Sequence, residues 1–223
     1  LAGVFAAHGL AIDRLVHPVV SVLRDKAGRL TGIDRTGTPE SLIYLEVPRA
    51  DARTRRALLE DLDAAPAAVR VAVADWPRMQ AAMAADGEAL AGADPESAEL
   101  LRWFKDGALT QLGHVVRRRD GRLDEPLGLC REGGALLSPE SYALAFDWFA
   151  APGNRAPLIV KSNLVSPVHR RVPLDLFILP VVARGRVSAL SVHAGIWTSA
   201  ALATPPDRVP RMRVQLAALM KQL

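Results

Sequence analysis

The stretch with the clearest potential for chemistry is a polar segment, residues 161–171, between two apolar runs. It carries an ammonium, an imidazole and a guanidinium group at Lys161, His169 and Arg170, together with the amide of Asn163. A loop with these groups at the end of a sheet could bind an anionic ligand. The alternative is that the same groups fasten the loop to the fold, or contact another part of a larger protein.

Asp175 lies inside the apolar run that follows this segment. A lone carboxylate is costly to bury, so we expect Asp175 to pair with one of the nearby basic groups. The candidate residues for a ligand site or an interface are therefore Lys161, Asn163, His169, Arg170 and Asp175.

Catalytic and metal-binding signatures are not found in the sequence. Gly133-Gly134 is not followed by the Lys and Ser/Thr of a phosphate-binding loop, and it does not complete a dinucleotide-binding fingerprint. A single cysteine cannot provide a zinc-binding pair, and no two of the five histidines are four residues apart. We therefore predict no catalytic residues, no metal ligands and no cofactor bound by this chain.

Cysteine usage also bears on the cellular compartment. The one cysteine, Cys130, cannot form an internal disulfide, which is typical of a reducing compartment, and we expect a cytoplasmic protein. Because Leu129 and Arg131 flank it in a predicted strand, we expect a buried and unreactive thiol.

The charge balance does not require a nucleic-acid partner. The chain has 28 Lys and Arg residues against 24 Asp and Glu residues, a net charge of +4. Arg117-Arg118-Arg119 and Arg122 could contact phosphates, but no stacking aromatic residue is close to them in sequence. We expect a solvated hairpin here and no nucleic-acid partner.

Length and composition indicate a folded protein of one large or two small domains. The chain has 223 residues, of which 50% are hydrophobic and 23% charged, and this balance excludes wholesale disorder. No apolar run approaches the ~20 residues that span a bilayer, so we predict no membrane partner. The chain begins at Leu1 without a basic leader, which we expect of a segment of a longer polypeptide.

The first half predicts a helix and then strands in residues 15–24, 29–33 and 40–47. Asp51 is expected to cap a helix that Pro66 ends, and Val69–Ala74 is expected to form the next strand. This order indicates an α+β module, a ferredoxin-like βαββαβ unit that lacks its first strand.

The second half of the chain has a different order of predicted helices and strands. Residues 77–106 predict a helical linker with Pro95 in the first turn of its second helix. Two strands (Leu109–Arg118 and Leu127–Arg131), a helix starting at Ser138-Pro139, three strands and a helix over residues 207–223 follow. This order predicts a PAS-like antiparallel sheet with flanking helices.

Four groups of residues follow one another in a distinctive order along the chain. They are Leu15-Val16-His17-Pro18-Val19 with residues 40–46; residues 101–107 with Leu112-Gly113; Lys161-Ser162-Asn163 with residues 166–170 and Asp175; and residues 195–200 with Val209-Pro210 and Arg213. In this succession the chain resembles the N-terminal region of the large bacterial NAD-specific glutamate dehydrogenases. It departs from the family at Ala108-Leu109-Thr110, where the family usually has Asn-Phe-Thr, and at Pro167, where the family has Thr.

The resemblance implies a partial ACT-like domain in residues 1–76, a helical linker in 77–106 and a PAS-like domain in 107–223. It implies a non-catalytic regulatory and assembly segment, because the family's catalytic region lies downstream and uses NAD to oxidise L-glutamate to 2-oxoglutarate. The implied partners are that downstream region, further copies of the chain in a homo-oligomer, and a small-molecule effector. The alternative function is a stand-alone sensor of an amino acid or a dicarboxylate.

Overall fold

The computed structural model describes residues 1–131 and 136–222, which form two compact units, Leu1–Asp63 and Ala64–Leu223. Gly133-Gly134 and the last residue of the predicted C-terminal helix, Leu223, lie outside the described residues. The domain limits predicted at residues 76 and 106 stay predictions. Among the described helices, none combines the length and the apolar character that a membrane span requires.

The first unit holds one short helix and five short strands before the start of a long helix. These elements are α1 (Ala2–Ala7), β1 (Arg14–Val16), β2 (Val19–Arg24), β3 (Leu30–Ile33), β4 (Thr38–Ser41), β5 (Tyr44–Glu46) and α2 (Ala52–Leu90). β1 and β5 form a two-stranded antiparallel sheet, and β3, β2 and β4 form a three-stranded antiparallel sheet in that order.

Short polar side chains set the turns of the first unit. The Asp25 carboxylate accepts hydrogen bonds from the backbone N–H groups of Ala27 and Arg29, both at 2.9 Å, and so closes the turn between β2 and β3. Asp34 does the same for Thr36 at 2.8 Å in the turn before β4. Pro18 separates β1 from β2, because proline cannot donate a hydrogen bond within a continuous strand.

The mixed α and β class with small antiparallel sheets is confirmed, but the prediction for residues 66–74 is wrong. Val69–Ala74 is not a strand, and Pro66 does not end the helix, because α2 continues through Pro66 and Pro77 to Leu90. A proline inside a helix removes one hydrogen bond, yet the alanine-rich sequence around it favours helix strongly. Ala65 and Ala72, seven residues apart, are buried, which is the spacing of a helical face.

The second unit is built on a five-stranded antiparallel sheet. Its strands are β6 (Leu109–Arg118), β7 (Leu123–Gly128), β8 (Leu158–Val165), β9 (Pro173–Ala183) and β10 (Arg186–Trp197), and they lie in the order β7-β6-β10-β9-β8. The helices are the later part of α2, α3 (Pro95–Trp103), α4 (Pro139–Ala150), α5 (Ser199–Leu202) and α6 (Met212–Met220), with a π-helical turn at Phe104–Ala108 and a 3₁₀ turn at Pro206–Arg208.

Both faces of this sheet are covered. Alternate residues of β9 belong to two different apolar clusters, as the period of a strand requires. Leu176 and Ile178 pack with Phe146 and Phe149 of α4. Phe177 and Leu179 pack with a second cluster that includes Met83, Leu101 and Phe104 from α2, α3 and the π-helical turn. The nearly continuous apolar run in β9 is therefore explained by burial on both faces.

Several boundaries of the second unit follow from local sequence. β6 has the predicted bounds, and α4 starts where Ser138 accepts a hydrogen bond from the Ser141 N–H at 3.2 Å. Asp94 caps α3 in the same way, with Pro95 in its first turn.

The C-terminal segment differs from its prediction. The predicted helix over residues 207–223 is a 3₁₀ turn and a shorter helix, α6, with Arg211 between them at a φ of 65°. The left-handed backbone at Arg211 interrupts any continuous helix. None of the described residues of α6 is buried.

Gly195 offers a direct check of the pairing between β6 and β10. It lies at a bulge in β10, and an added Cβ would come within 2.6 Å of the Thr110 carbonyl oxygen. We expect Gly195→Ala to lower the free energy of unfolding by about 1–3 kcal/mol, because the backbone at Thr110 must move to make room for the Cβ. Urea denaturation measures this change. Gly92→Ala is the matched control, since its Cβ would meet nothing within 4 Å, and equal losses in both variants would contradict the described pairing.

Candidate functional site

The five residues predicted as a ligand or interface site lie at one end of the second unit's sheet. Lys161 and Asn163 are on β8, an edge strand that extends to Val165, so they are strand residues and not loop residues. Lys161 is opposite Asp175 of β9, and its Nζ lies 2.7 Å from Asp175 Oδ1. The expected pairing of Asp175 with a nearby base is therefore confirmed.

The remaining candidates lie on the connection from β8 to β9. Arg170 donates a hydrogen bond from its guanidinium to the carbonyl oxygen of Trp197. His169 is exposed and has a φ of 65°. Ser166 closes the connection by donating to the Val168 carbonyl at 2.6 Å. These contacts correspond to the alternative weighed for this segment, in which its polar groups fasten the loop to the fold.

The basic run at the β6–β7 turn is likewise engaged within the fold. The Arg117 guanidinium lies 4.2 Å from the centre of the Tyr142 ring, and that of Arg119 lies 4.9 Å from the centre of the Phe146 ring. Arg118 and Arg122 contact Asp124 at 2.6 and 3.1 Å. The run therefore covers α4 and its own hairpin.

The sequence analysis missed a different group of polar residues. They come together on the face of the second unit's sheet that is opposite to α4. His114 of β6 and His193 of β10 are directly paired, and their ring centres are 4.6 Å apart. Asp86 reaches them from α2. We call these three residues, with Ser191, Gln111 and Gln80, the polar cluster.

A chain of hydrogen bonds connects the amides of the polar cluster to Asp86 through His193. Gln80 donates to Gln111 Oε1 at 3.1 Å, and Gln111 then donates from Nε2 to His193 Nδ1 at 3.0 Å. With the Gln111 amide in this orientation, His193 carries a proton on Nε2, which lies 2.7 Å from Asp86 Oδ2 and donates to it.

Ser191 joins the second histidine to the same carboxylate. Ser191 Oγ donates to Asp86 Oδ2 at 2.5 Å, so it can only accept from His114 Nε2, at 3.1 Å. That leaves His114 Nδ1 as an acceptor. It is buried and has no hydrogen-bond partner in the part of the chain that the structure describes.

Burial and hydrogen bonds set the electrostatics of the polar cluster. Burial, assisted by the nearby His193, lowers the pKa of His114 to about 3, so His114 is neutral at physiological pH. Burial raises the pKa of Asp86, but the hydrogen bond and electrostatic attraction of His193, with the hydrogen bond from Ser191, outweigh it and hold the pKa below its ordinary value. The cluster thus contains an ionised carboxylate that accepts two side-chain hydrogen bonds.

This arrangement is not that of a nucleophilic triad. In a triad the serine donates to a histidine whose second nitrogen is held by the carboxylate. Here Ser191 donates to the carboxylate itself and accepts from His114, while His193 is fully buried. The chemistry available to the cluster is to hold a proton or to provide nitrogen and oxygen ligands.

A sequence signal for the polar cluster did exist. In β10, Ser191 and His193 alternate with the apolar residues Leu190, Val192 and Ala194, which belong to the cluster that packs on α4. Polar residues at this period in an otherwise apolar strand indicate one face that must supply hydrogen-bond partners.

A second buried carboxylate supports the hairpin β6–β7. Asp75 of α2 is 2% exposed and accepts hydrogen bonds from the Gly128 N–H at 2.8 Å and from both sides of the Arg131 guanidinium. The Arg131 guanidinium, aided by the Gly128 N–H, lowers the pKa of Asp75 to about 2.

Cys130 is buried beside this contact, as expected, and burial raises the pKa of its thiol to about 12. It lies in a turn after β7 and not in the predicted strand, because β7 ends at Gly128.

The pair Lys161–Asp175 predicts a stability effect. Asp175 is 8% exposed, so Lys161→Ala leaves a nearly buried carboxylate without its cation, and we expect the free energy of unfolding to fall by about 1–3 kcal/mol. Asn163→Ala on the same strand is exposed and is expected to change it by less than about 0.5 kcal/mol. Urea denaturation of both variants measures this. Equal stability of Lys161→Ala and wild type would show that the pair does not fasten β8.

The lowered pKa of Asp75 predicts acid sensitivity. The ionised Asp75 carboxylate stabilises the fold fully at a pH above 3.8, the ordinary pKa of an aspartate. This stabilisation is lost as the pH falls from 3.8 to about 2. Asp75→Asn is expected to be less stable at neutral pH and to lose less stability than wild type over that acid range. Thermal melts between pH 6 and pH 2 test this, with Asp106→Asn, an exposed carboxylate, as the control. An unchanged pH profile in Asp75→Asn would contradict the assignment.

Comparison with protein-family models matches residues 1–62 to the ACT1 domain of glutamate dehydrogenase. Comparison with curated proteins gives no match. The matched residues end at Leu62, one residue before the end of the first compact unit at Asp63, so the family match and the fold agree closely on the extent of that unit. An ACT1 domain suggests a regulatory segment. Over residues 1–62 the match supports an N-terminal region of a glutamate dehydrogenase.

Proposed function

We propose that this chain is a non-catalytic regulatory and assembly segment of a large NAD-specific glutamate dehydrogenase. In this proposal a downstream region of the same polypeptide binds NAD and converts L-glutamate to 2-oxoglutarate, ammonia and NADH, in the cytoplasm. The observation that carries the proposal is the match of residues 1–62 to the glutamate dehydrogenase ACT1 domain.

The second unit supports the same proposal. Its five strands, numbered within the unit, lie in the order 2-1-5-4-3, with one helix between the second and third, and this arrangement supports a PAS-like domain. Its predicted site residues are used for structure, since Lys161 pairs with Asp175 and Arg170 holds the Trp197 carbonyl. These contacts favour a scaffold over a reaction centre.

The surface of the first unit supports a role in assembly. Large apolar side chains on its short strands are exposed, among them Val19 at 66% and Ile33 at 69%. Large apolar side chains exposed on several short strands of one unit favour contact with another protein surface. Further copies of the chain in a homo-oligomer and the downstream catalytic region are the partners we propose.

Regulation requires that such contacts differ between two states of the enzyme. A subunit contact or a small-molecule effector changes activity only by the difference in its binding free energy between those states. The segment would therefore act by favouring one conformation of the whole enzyme.

The alternative, a stand-alone sensor of an amino acid or a dicarboxylate, stays a prediction. A cavity of about 440 Å³ in the second unit is lined mainly by apolar residues such as Trp148, Leu158 and Trp197. Arg211 also lines it, but its guanidinium donates to the Pro157 carbonyl at 3.1 Å. This lining does not favour a dianionic ligand over the assembly role.

Two measurements test the proposed function. The 223-residue chain, incubated with L-glutamate and NAD, is expected to form no NADH, whereas the full-length enzyme is expected to form it. In the full-length enzyme, Ile33→Glu is expected to weaken subunit association at least about tenfold, measured by light scattering, because it places a charge in the apolar surface.

Leu144→Glu is the matched control, because Leu144 is 71% exposed on α4 of the second unit. NADH formation by the isolated chain would overturn the non-catalytic assignment. An Ile33→Glu enzyme with wild-type mass and wild-type kinetics would overturn the assembly role.

A further inference from the structure

We propose that Asp86, His114 and His193 form a binding site for a divalent first-row transition-metal ion of the zinc class. The three residues each offer a ligand atom, and these atoms lie within 4.8 Å of one another. The inference is independent of the proposed function, because it concerns only side chains of the second unit.

The distances are compatible with a metal after small side-chain movements. The ligand atoms lie at most 4.8 Å apart, so an ion at the centre of the largest such triangle would be about 2.8 Å from each corner, whereas zinc–nitrogen bonds are about 2.0–2.1 Å. His193 Nε2 and Asp86 Oδ2, now 2.7 Å apart, would separate slightly to bind the same ion. Ser191 Oγ or a water molecule can supply the fourth position.

The donor set selects among cations. Two imidazole nitrogens and one carboxylate oxygen suit zinc, iron, cobalt and nickel, whereas calcium and magnesium prefer oxygen ligands alone. A divalent cation would also balance the negative charge of the Asp86 carboxylate, which accepts hydrogen bonds from His193 and Ser191.

The surrounding amides can support His193 in either protonation pattern. A histidine that binds a metal through one nitrogen donates the proton of the other nitrogen to a neighbouring acceptor. Rotation of the Gln111 amide would present its oxygen to His193 Nδ1, and rotation of Gln80 would then give the Gln111 nitrogen an acceptor. His193 Nε2 is thereby free to exchange its proton for a metal.

His114 would bind the ion through Nε2, the nitrogen that lies 3.1 Å from Ser191 Oγ, which in turn donates to Asp86. Its proton would then be on Nδ1, which is buried and has no hydrogen-bond partner among the residues that the structure describes. The side chain of Asp86 remains 24% exposed and gives an ion a route from solvent.

The test uses the 223-residue chain after removal of metals with a chelator. Equilibrium dialysis against Zn²⁺, with metal analysis by mass spectrometry, is expected to give one ion per chain, and Co²⁺ is expected to give the visible absorption of a bound, low-symmetry site. Asp86→Asn and His193→Gln are expected to weaken Zn²⁺ binding at least about tenfold. Excess Mg²⁺ is expected not to compete.

Glu88→Gln is the matched control, because it removes one negative charge from an exposed position on the same helix. It is expected to bind Zn²⁺ like wild type. Circular dichroism of each variant separates loss of the site from loss of the fold, and the Co²⁺ spectrum of the wild type needs no variant. Binding below one ion per chain, or binding equal in Asp86→Asn and wild type, would overturn the proposal and leave the cluster as a structural network.

Discussion

The position of β10 at the centre of the second unit's sheet constrains everything around it. β10 pairs with β6 on one side and β9 on the other, and apolar clusters cover both faces. The polar side chains at the buried positions of this strand cannot rely on water, so each needs a partner inside the protein, at a cost of about 1–3 kcal/mol if it has none. Ser191 and His193 therefore require a carboxylate and an amide at defined positions along the strand. Asp86 and Gln111 meet that requirement, which fixes how α2 lies along the sheet.

Local sequence rules predicted the elements whose ends are set by their own residues. β6 and the start of α4 were predicted correctly because a Val-rich run ends at a tight turn and because a serine caps a helix that begins with proline. α2 was predicted wrongly for the converse reason. Pro66 looks like a stop and residues 69–74 look like a strand when they are considered alone, but Ala65 and Ala72 are buried on one helical face. Tertiary burial along a helix outweighs the loss of one hydrogen bond at a proline.

The same distinction explains which site residues could be foreseen. Lys161 and Asp175 are neighbours across two strands joined by a short connection, so the need of a buried carboxylate was enough to predict the pair. Asp86 and His193 are 107 residues apart, and their contact depends on the pairing of β6 with β10 and on the packing of α2 against it. No spacing in the sequence encodes such a contact. Only the alternation of polar and apolar residues in β10 indicates that one face of this strand must contact polar groups.

The energetics of the polar cluster argue that it is more than packing. A buried group of charged and polar residues is often no more stabilising than apolar side chains of the same volume, because desolvation offsets the gain. A set built only for stability would also leave no atom unpaired, yet His114 Nδ1 has no partner among the described residues. Two roles can retain such a cluster: fixing the register of α2 on the sheet, or holding a cation. Hydrogen bonds satisfy the first role, whereas the second would use the Asp86 carboxylate and both imidazoles together.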